Sequence, residues 1–379
     1  MERLHFESEH NLFREAFREF LAREVVPHTE EWEKAGLVPK EVWRKAGRAG
    51  FLVTWADEEY GGAGVRDFRY DQIVAEELAA ANEGGLALGL HSTVVAPYLD
   101  HFGTPDQKRR FLTGAVSGET ILAIAMTEPG AGRDLAGMKT RAERRDGAWI
   151  LNGAKTFISN GINADLVIVA AKTDPTHPRQ IGLFLVETGM PGFERGRKLD
   201  KLGHRGMDTA ELFFTDVRVP AENVLGDPAE GFHYLMHLLA DERLIEACTS
   251  IAMARAAYDM TLGYVKERTA FGQRIGSFQY NRFRLADMKT EIDIGQVFVD
   301  RCVMDHNAGR LTADIAAEAK LYTTELLGRV ADQCVQLHGG YGFMLEYPIT
   351  RLFASARVHR IWAGSSEIMR EIIGRALGL

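Results

Sequence analysis

The stretch Gly231-Phe-His-Tyr-Leu-Met-His-Leu-Leu-Ala-Asp-Glu-Arg-Leu-Ile-Glu-Ala-Cys-Thr249 decides how the last third of the chain folds. Its apolar residues recur at intervals of three and four, which predicts an amphipathic helix rather than a strand. Glu242 falls inside the apolar stripe, where a charged side chain is not expected. The other members of this stripe are Leu235, Leu238, Leu239, Ile245 and Thr249.

The position of Glu242 predicts an acid with unusual properties. An ionised carboxylate is expensive to bury, so we expect the pKa of Glu242 to be raised. Glu246 follows one helical turn later, and its negative charge is expected to raise that pKa further. A carboxylate of this kind is a candidate general base near neutral pH. Two simpler alternatives stay open, since the side chain can turn out to water or pair with a buried arginine.

The composition is that of a globular protein and excludes several classes of function. The chain has 379 residues, a length sufficient for two or three domains. Hydrophobic residues make up 46% and charged residues 26% of it, as in globular proteins. The net charge is −8 and no basic tract stands out, so nucleic acid is not an expected partner. No apolar run approaches the roughly 20 residues of a membrane span. The first residues lack a secretory or transit pattern, so we expect a cytoplasmic location. Three scattered cysteines form no CxxC pair, which fits a reducing compartment.

Three consecutive regions of the chain have different sequence patterns. Residues from about 8 to 120 read as helices, those to about 219 as short strands, and the remainder as long helices. Asp146-Gly147 and Asn152-Gly153 are hairpin signals among the strands. The pattern predicts an α+β multidomain fold. Its parts are an N-terminal helical domain (1–120), a middle β-barrel or β-sandwich domain (121–229) and a C-terminal helical bundle (230–379).

Gly85 and Gly89 are one helical turn apart at the start of residues 86–102, a segment that continues the helical pattern. One face of that predicted helix therefore lacks side chains. Two interpretations stay open: close packing of another helix, or room for the end of a long apolar ligand.

Glycine-rich stretches elsewhere indicate backbone that a ligand can approach closely. Gly130-Ala-Gly132 has no third glycine at the right offset and precedes strands, so a nicotinamide-binding Rossmann unit is rejected. Gly339, Gly340 and Gly342 give a backbone suited to a phosphate or a facing subunit, although ordinary turns look the same. No metal is expected, because His233, His237 and His338 have no carboxylate or cysteine partner at ligand spacing.

Two long signatures stand in order on either side of the change from strands to helices. The first is Met126-Thr-Glu-Pro-Gly-Ala-Gly-x-Asp134. The second is Gln336-x-x-Gly-Gly-x-Gly-Phe343, followed by Glu346-Tyr-Pro348 and Arg351. Arg268, Phe271-Gly272, Gln279 and Gly364-Ser-Ser-Glu367 match as well. With these motifs the chain resembles the acyl-CoA dehydrogenase family of flavoproteins over essentially its whole length. The resemblance implies an N-terminal helical domain, a β middle domain and a C-terminal four-helix bundle.

The resemblance also implies FAD, bound between the β domain and the bundle, and an oligomer that is usually a homotetramer. It assigns Met126, Thr127, Phe157 and Ser159 to the flavin ring, and Arg268 and Phe271 to the pyrophosphate and adenine part of FAD. Gln279, Gln336 and Gly340 are assigned to the FAD of the neighbouring subunit. Ser365 and Glu367 are assigned to the adenosine end of FAD.

The resemblance selects a catalytic base. In many branches a glutamate precedes the Gly-Thr/Ser pair of the last motif, whereas this chain has Ala363 there. The long-chain and isovaleryl branches instead carry the base on the bundle helix, in a context that Asp241-Glu242-Arg243-Leu244 matches. Glu242 is then the base, and Ala363 keeps a backbone N–H that holds the thioester oxygen. The implied product is a trans-2-enoyl-CoA, with electrons passed through FAD to an electron-transfer flavoprotein.

Three positions are assigned to the acyl-CoA: Arg243, Arg133 and Gly364. Arg243 resembles a family arginine near the bound CoA, although a salt bridge at the bundle surface is its simpler role. Arg133 replaces the usual serine or threonine, and its guanidinium either binds a phosphate of CoA or FAD or points to solvent. Ser355 replaces the usual acid of the second signature, so an ion pair is not expected there.

Residues 31–36, 196–203 and 208–214 look most like the long-chain branch. They favour a medium-to-long straight-chain acyl-CoA, with isovaleryl-type specificity as the main rival. Two alternatives from other classes stay open. One is a flavin- or CoA-binding assembly protein of the same fold without catalysis, and the other is an oxidase that passes electrons to O₂.

Overall fold

A computed structural model describes residues 3–132 and 134–379, and its elements follow the predicted order of helices, strands and helices. In the first region α1 buries Phe17, Phe20 and Leu21 on one face, as the helical spacing predicts. Leu90–Val95 and Lys108–Leu112 are π-helical turns that continue into α5 and α7. The helices are α1 (Ser8–Glu24), α2 (Thr29–Ala35), α3 (Lys40–Arg48), α4 (Phe68–Ala80), α5 (Ala96–Phe102), α6 (Pro105–Gln107) and α7 (Thr113–Ser117).

The middle region is one connected sheet that folds into two facing halves. Strands β6, β7, β3 and β2 form one half, and β4, β5 and β8 form the other, with β1 parallel to β4. The halves join where Arg141 of β2 pairs with Lys172 of β4. The strands are β1 (Leu122–Ala125), β2 (Arg141–Arg145), β3 (Ala148–Ser159), β4 (Leu166–Lys172), β5 (Ile181–Glu187), β6 (Phe193–Lys198), β7 (Thr209–Pro220) and β8 (Val224–Leu225).

The apolar core of the middle region lies between these two halves. Leu151 and Phe214 come from one half, Val169 and Phe184 from the other, and all four are buried in one cluster. The rings of Trp149 and Phe184 meet edge to face, with their centroids 5.5 Å apart. The arrangement is therefore sandwich-like, because apolar side chains that alternate along each strand meet across the interior.

One of the two predicted hairpins is wrong. Asp146 and Gly147 both have positive φ (46° and 74°) and turn β2 into β3, as the Asp-Gly signal predicts. Asn152 and Gly153 lie inside β3, where the register against β7 shifts by a bulge. A Cβ on Gly153 would collide with Thr140, so the glycine serves a close backbone approach rather than a turn.

The last region is a helical bundle built on α8, which spans 37 residues. Helix α10 packs against α8, α9 and α12, and α9 also packs against α8. A two-stranded hairpin, β9 (Thr269–Ala270) and β10 (Gln273–Arg274), lies between α8 and α9. The sequence pattern did not predict the short helix α11. The helices are α8 (Gly231–Glu267), α9 (Gln279–Asn307), α10 (Ala313–His338), α11 (Pro348–Ala356) and α12 (Ser366–Ala376). Among the described residues, no helix has the length and apolarity needed to cross a bilayer.

Candidate active site

Glu242 lies near the start of α8, between the buried side chains of Leu238 and Ile245. Burial raises the pKa of its carboxyl to about 7, and the charge of Glu246 contributes to that rise. Arg243 and Lys320 act in the opposite direction but do not reverse it. The structure therefore confirms the expected apolar surroundings and the raised pKa. A carboxyl with this pKa is half ionised near neutral pH, as a general base requires.

The segment that carries Gly89 and Tyr98 faces this part of α8. A Cβ placed on Gly89 would have one near neighbour, Ile245 Cγ1 at 3.7 Å, so open space remains beside the helix. Tyr98 is buried, and burial together with the nearby charge of Glu242 raises the pKa of its hydroxyl. Gly85 behaves differently. It precedes the helical segment, and a Cβ there would lie 3.1 Å from the backbone of Gly206, so its role is close packing.

Arg243 is a buried cation rather than a member of a surface salt bridge. Its residue is 7% exposed, and its Nε is buried without a hydrogen-bond partner. Burial lowers the pKa of the guanidinium from its usual value. The negative charge of Glu242 acts on that pKa in the opposite direction. The simpler role expected from the sequence is wrong, and a buried guanidinium with an open donor suits an anionic or carbonyl ligand.

The segment Trp362–Gly364 has an unusual backbone. Ala363 has φ of 52° and Gly364 has φ of 86°, and a left-handed alanine is uncommon. The buried ammonium of Lys320, on α10, donates to the carbonyl oxygens of Trp362 (3.0 Å) and Gly364 (2.6 Å). Lys320 thus binds the carbonyl groups of the two residues on either side of Ala363. Sequence reasoning missed Lys320, because a lone lysine on a helix reads as a surface residue.

A buried ion pair fixes the first signature. Lys155 is fully buried on β3, and its Nζ donates to the backbone oxygen of Met126 and to Glu128 Oε1, each at 2.9 Å. The amide of Thr156 donates to the backbone oxygen of Thr127 at 2.9 Å. Met126 and Thr127, both partly exposed, are therefore held against β3. The signal for this support was a lysine at an inward position of a strand, which the sequence reading did not use.

Phe157 and Ser159 lie farther along β3. Phe157 is 68% exposed and has φ of 59°, while Ser159 is partly buried. A bulky aromatic residue in the left-handed region is strained, and such strain concentrates at functional sites. An exposed aromatic face in this conformation is consistent with a ring that packs on it.

A second group of predicted residues lies at the far end of α8. Arg268 directly follows that helix and is 26 residues from Glu242, roughly 39 Å at 1.5 Å per residue. The guanidinium of Arg268 lies 5.5 Å from the ring centre of Tyr341, next to Gly340. Phe271 is 95% exposed with φ of 51°. Also at this end of the bundle are the exposed Gln279, Gln336 and Gly340, at the ends of α9 and α10.

The remaining predicted residues follow the Trp362–Gly364 segment. Ser365 is buried directly before α12, and Glu367 is in the first turn of that helix. Ser355 on α11 accepts a 3.0 Å hydrogen bond from the amide of His204. At this position the family usually has an acid, and this chain makes an uncharged hydrogen bond there. Arg133 lies outside the described residues.

The residues assigned to FAD fit a flavin cofactor. Exposed aromatic faces at Phe157 and Phe271 suit flat rings, and the exposed guanidinium of Arg268 suits a pyrophosphate. No atom lies within 4 Å of a Cβ built on Gly339 or Gly340, so the backbone there is open to a ligand. The chain therefore offers both a surface for rings and a charged, glycine-rich surface for phosphates.

Family models match three consecutive parts of the chain. They are described as the acyl-CoA dehydrogenase N-terminal domain (residues 7–119), middle domain (residues 123–217) and C-terminal domain (residues 229–378).

Relatives of known name agree with these matches. The chain is 47% identical to the mitochondrial long-chain specific acyl-CoA dehydrogenase of Mus musculus, over 98% of this chain and 87% of that protein. It is 39% identical to the mitochondrial isovaleryl-CoA dehydrogenase of Oryza sativa subsp. japonica, over 98% of this chain and 92% of that protein. The crystal structure of an acyl-CoA dehydrogenase from Geobacillus kaustophilus matches with a TM-score of 0.98 and 48% identity, and covers 100% of both chains.

The cofactor expected from the sequence agrees with a further solved structure. A glutaryl-CoA dehydrogenase from Mycobacterium smegmatis, in complex with FADH2, matches with a TM-score of 0.92 and 28% identity over 98% of this chain and 95% of that one. FAD is the cofactor of this class of oxidoreductase. From its sequence motifs, its three-part fold and these relatives, the chain belongs to the acyl-CoA dehydrogenase family.

Proposed function

We propose that this chain oxidises a medium-to-long straight-chain acyl-CoA to the trans-2-enoyl-CoA, with Glu242 as the base that takes the α-proton. The observation that carries the proposal is the carboxyl of Glu242, whose pKa burial raises to about 7. It lies on an apolar helix face beside open space at Gly89. Arg243 and Gly364 are further residues that we assign to contacts with the acyl-CoA.

The α-proton of an acyl thioester is weakly acidic, so its removal needs both a base and stabilisation of the enolate oxygen. Glu242 is ionised above its pKa and takes the proton. The Ala363 N–H donates to the thioester oxygen, and a backbone donor does not depend on the side chain. Bound FAD supplies the acceptor for the β-hydrogen, which leaves as hydride.

The residues that hold FAD fall into two groups. Met126, Thr127, Phe157 and Ser159 contact the flavin of their own subunit, with Ser365 and Glu367 toward its adenosine end. The group at the far end of α8 lies roughly 39 Å from Glu242 along the helix, too far to share that flavin site. We therefore assign all of that group to the FAD of a neighbouring subunit, which revises the expectation for Arg268 and Phe271. Its members are Arg268, Phe271, Gln279, Gln336 and Gly340.

This assignment requires an oligomer, and we propose a homotetramer. Helix α9 supports it, because apolar side chains on its surface are solvent-exposed in the single chain. An exposed apolar face of this kind is typical of a protein–protein interface. The exposed residues are Tyr280, Phe283, Ile294, Val297 and Met304.

The open space at Gly89 supports an acyl chain of medium or greater length, as does the higher identity to the long-chain than to the isovaleryl relative. Isovaleryl-type specificity is the rival. We propose that an electron-transfer flavoprotein accepts the electrons. A chain with a TM-score of 0.94 to this one was solved in work on the electron transferring flavoprotein of Acidaminococcus fermentans.

The test is anaerobic mixing of the FAD-loaded protein with a panel of straight and branched acyl-CoAs, followed by flavin absorbance. We expect bleaching that is fastest with straight chains of medium or greater length. A maximum with a branched five-carbon substrate would replace the chain-length proposal with the isovaleryl rival. Absence of bleaching with every acyl-CoA would favour an assembly role, and rapid reoxidation by O₂ would favour an oxidase.

Two further expectations stay predictions. The domain boundaries at 120/121 and 229/230 fall in the connections between α7 and β1 and between β8 and α8. The cytoplasmic location rests on the sequence alone, and the long-chain relatives named above are mitochondrial.

A further inference from the structure

Two buried side chains hold the Trp362–Gly364 segment. The first is Lys320, whose Nζ donates to the carbonyl oxygens of Trp362 and Gly364. The peptide between Trp362 and Ala363 is trans, so the Trp362 carbonyl and the Ala363 N–H point in opposite directions. A lysine that fixes this carbonyl therefore also fixes the direction of the Ala363 N–H.

The second side chain is Glu246, one turn beyond Glu242 on α8. Its carboxylate accepts hydrogen bonds from the indole Nε1 of Trp362 (2.9 Å) and from Ser250 Oγ (3.0 Å). His359 Nδ1 lies 2.6 Å from the same carboxylate. Glu246 is 8% exposed and His359 is fully buried. The helix that carries Glu242 is thereby bonded to the segment that carries Ala363.

A chain of hydrogen bonds fixes Glu246 in turn. The carbonyl of Gly84 can only accept, so His204 Nδ1 (3.1 Å away) carries a proton. Burial lowers the pKa of His204 to about 3, so its ring is neutral and its Nε2 accepts. His359 Nε2, at 3.1 Å from that atom, must therefore donate. The 2.6 Å contact between His359 Nδ1 and Glu246 completes the chain, and no member of it lacks a partner.

We propose that Lys320 and Glu246 are positioning residues for dehydrogenation, which hold Trp362 and Gly364 so that the Ala363 N–H meets the thioester oxygen. The inference rests on the proposed roles of Ala363 and Glu242. Neither residue needs to contact the substrate. Lys320 acts through the backbone of the segment, and Glu246 acts through the indole of Trp362.

The two positioning residues differ in their electrostatic effect on the base, which gives each its own signature. Arg243 and Glu246 act on Glu242 from its own helix, Lys320 acts from α10, and Tyr98 faces it from α5. The positive charge of Lys320 lowers the pKa of Glu242. Its removal should raise that pKa. The loss of an uncharged bond to Trp362 should leave it unchanged.

The experiment compares FAD-loaded Trp362→Phe and Lys320→Met proteins with wild type. Trp362→Phe keeps an aromatic ring but removes the bond to Glu246. The matched control is Ser250→Ala, which also removes a bond to Glu246 but none to the segment. The readout besides turnover is the infrared carbonyl stretch of a bound trans-2-enoyl-CoA, which does not react with the oxidised protein. That stretch reports the strength of the hydrogen bond to the thioester oxygen.

We expect the carbonyl stretch to move toward its value in water in both variants, and kcat to fall about 10- to 100-fold. The acidic limb of the pH profile should move to higher pH in Lys320→Met and stay in place in Trp362→Phe. Ser250→Ala should match wild type in all three measurements. A wild-type stretch and a wild-type kcat in Trp362→Phe would overturn the role of Glu246, and the same result in Lys320→Met would overturn that of Lys320.

If Lys320→Met fails to fold, Trp362→Phe still tests the role of Glu246. The role of Lys320 is then tested with Lys320→Gln. A Glu242→Gln protein is measured in parallel. If it turns over at the wild-type rate, the proposed base is wrong, while the carbonyl stretch of the other variants still decides the positioning roles. If it is inactive but the stretch never moves, the base stands and the positioning roles fall.

Discussion

Glu242 and Glu246 are acids one turn apart on α8 that have different surroundings, apolar side chains at Glu242 and hydrogen-bonding groups at Glu246. Glu246 accepts hydrogen bonds from Trp362 and Ser250 and contacts His359. Glu242 lies among apolar side chains, and burial raises the pKa of its carboxyl to about 7. Adjacent carboxylates with different surroundings can therefore take different roles, one in structure and one in proton transfer.

The pH dependence of the reaction follows from the raised pKa of Glu242. A base must be ionised to act, so we expect kcat/KM to rise with pH through an apparent pKa of about 7. A stopped-flow series of flavin reduction across this range measures it. A rate that is flat down to the usual pKa of a glutamate would contradict the assignment of Glu242.

Removal of the carboxylate should abolish most of the proton transfer. We expect Glu242→Gln to lower kcat by roughly 10²- to 10⁴-fold, with retention of FAD and of acyl-CoA binding. Asp241→Asn is a matched control, since Asp241 is the neighbouring acid and instead pairs with His306 at 3.0 Å. Single-turnover reduction of both variants decides the point, and equal losses in the two would argue against a specific role for Glu242.

The same substitution should change how stability depends on pH. The pKa of Glu242 is about 7 in the folded chain against 4.5 for an ordinary glutamate. The stability that this difference contributes is fully present below the lower value and is lost as pH rises through about 7. We expect Glu242→Gln to lose less stability than wild type between about pH 5 and about pH 8. Urea unfolding of wild type and Glu242→Gln at both pH values checks this.

Lys155 should be essential for the first signature. Lys155→Met leaves Glu128 buried without its cation, and a broken buried pair costs about 3–5 kcal/mol. Glu128 is 6% exposed and Lys155 fully buried. We expect a lower urea midpoint and loss of FAD, because Met126 also loses the bond to its carbonyl. The double variant with Glu128→Gln should recover part of the stability but not the flavin; a full recovery of FAD would mean that Lys155 does not position Met126.

Gly89 should set the acceptable chain length. We expect Gly89→Val to fill the space opposite Ile245 and to shift the best acyl chain to shorter lengths, with little loss of stability. Gly85→Ala is the contrasting variant, since its Cβ would meet the backbone of Gly206. It should lower the melting temperature without a change in chain-length preference. A series of kcat/KM values against chain length distinguishes them, and an unshifted optimum in Gly89→Val would place the acyl chain elsewhere.

Much of the fold follows from local patterns in the sequence. The period of α8 predicted that Leu235, Leu238 and Ile245 are buried on the face that carries Glu242, because helical geometry decides which side chains share a face. Glu242 itself is partly buried, and the packing of other elements buries further faces of α8. The order of helices, strands and helices was correct for the same reason. Motifs such as Gln336-x-x-Gly-Gly-x-Gly-Phe343 carried the family, since their glycines mark backbone that a ligand or subunit approaches.

What only the tertiary structure decided is which distant residues meet. Gly153 and Gly85 have local sequences that fit a hairpin and a helix, yet each is packed against backbone or side chains from another element. The sequence analysis assigned no role to Lys155 or Lys320, which the fold buries against Met126 and Trp362. Local sequence records periodicity and turn preference, whereas a hydrogen bond between remote residues depends on how whole elements pack. The sequence therefore indicated Glu242 as the candidate base, and the three-dimensional packing decided which side chains hold the Trp362–Gly364 segment.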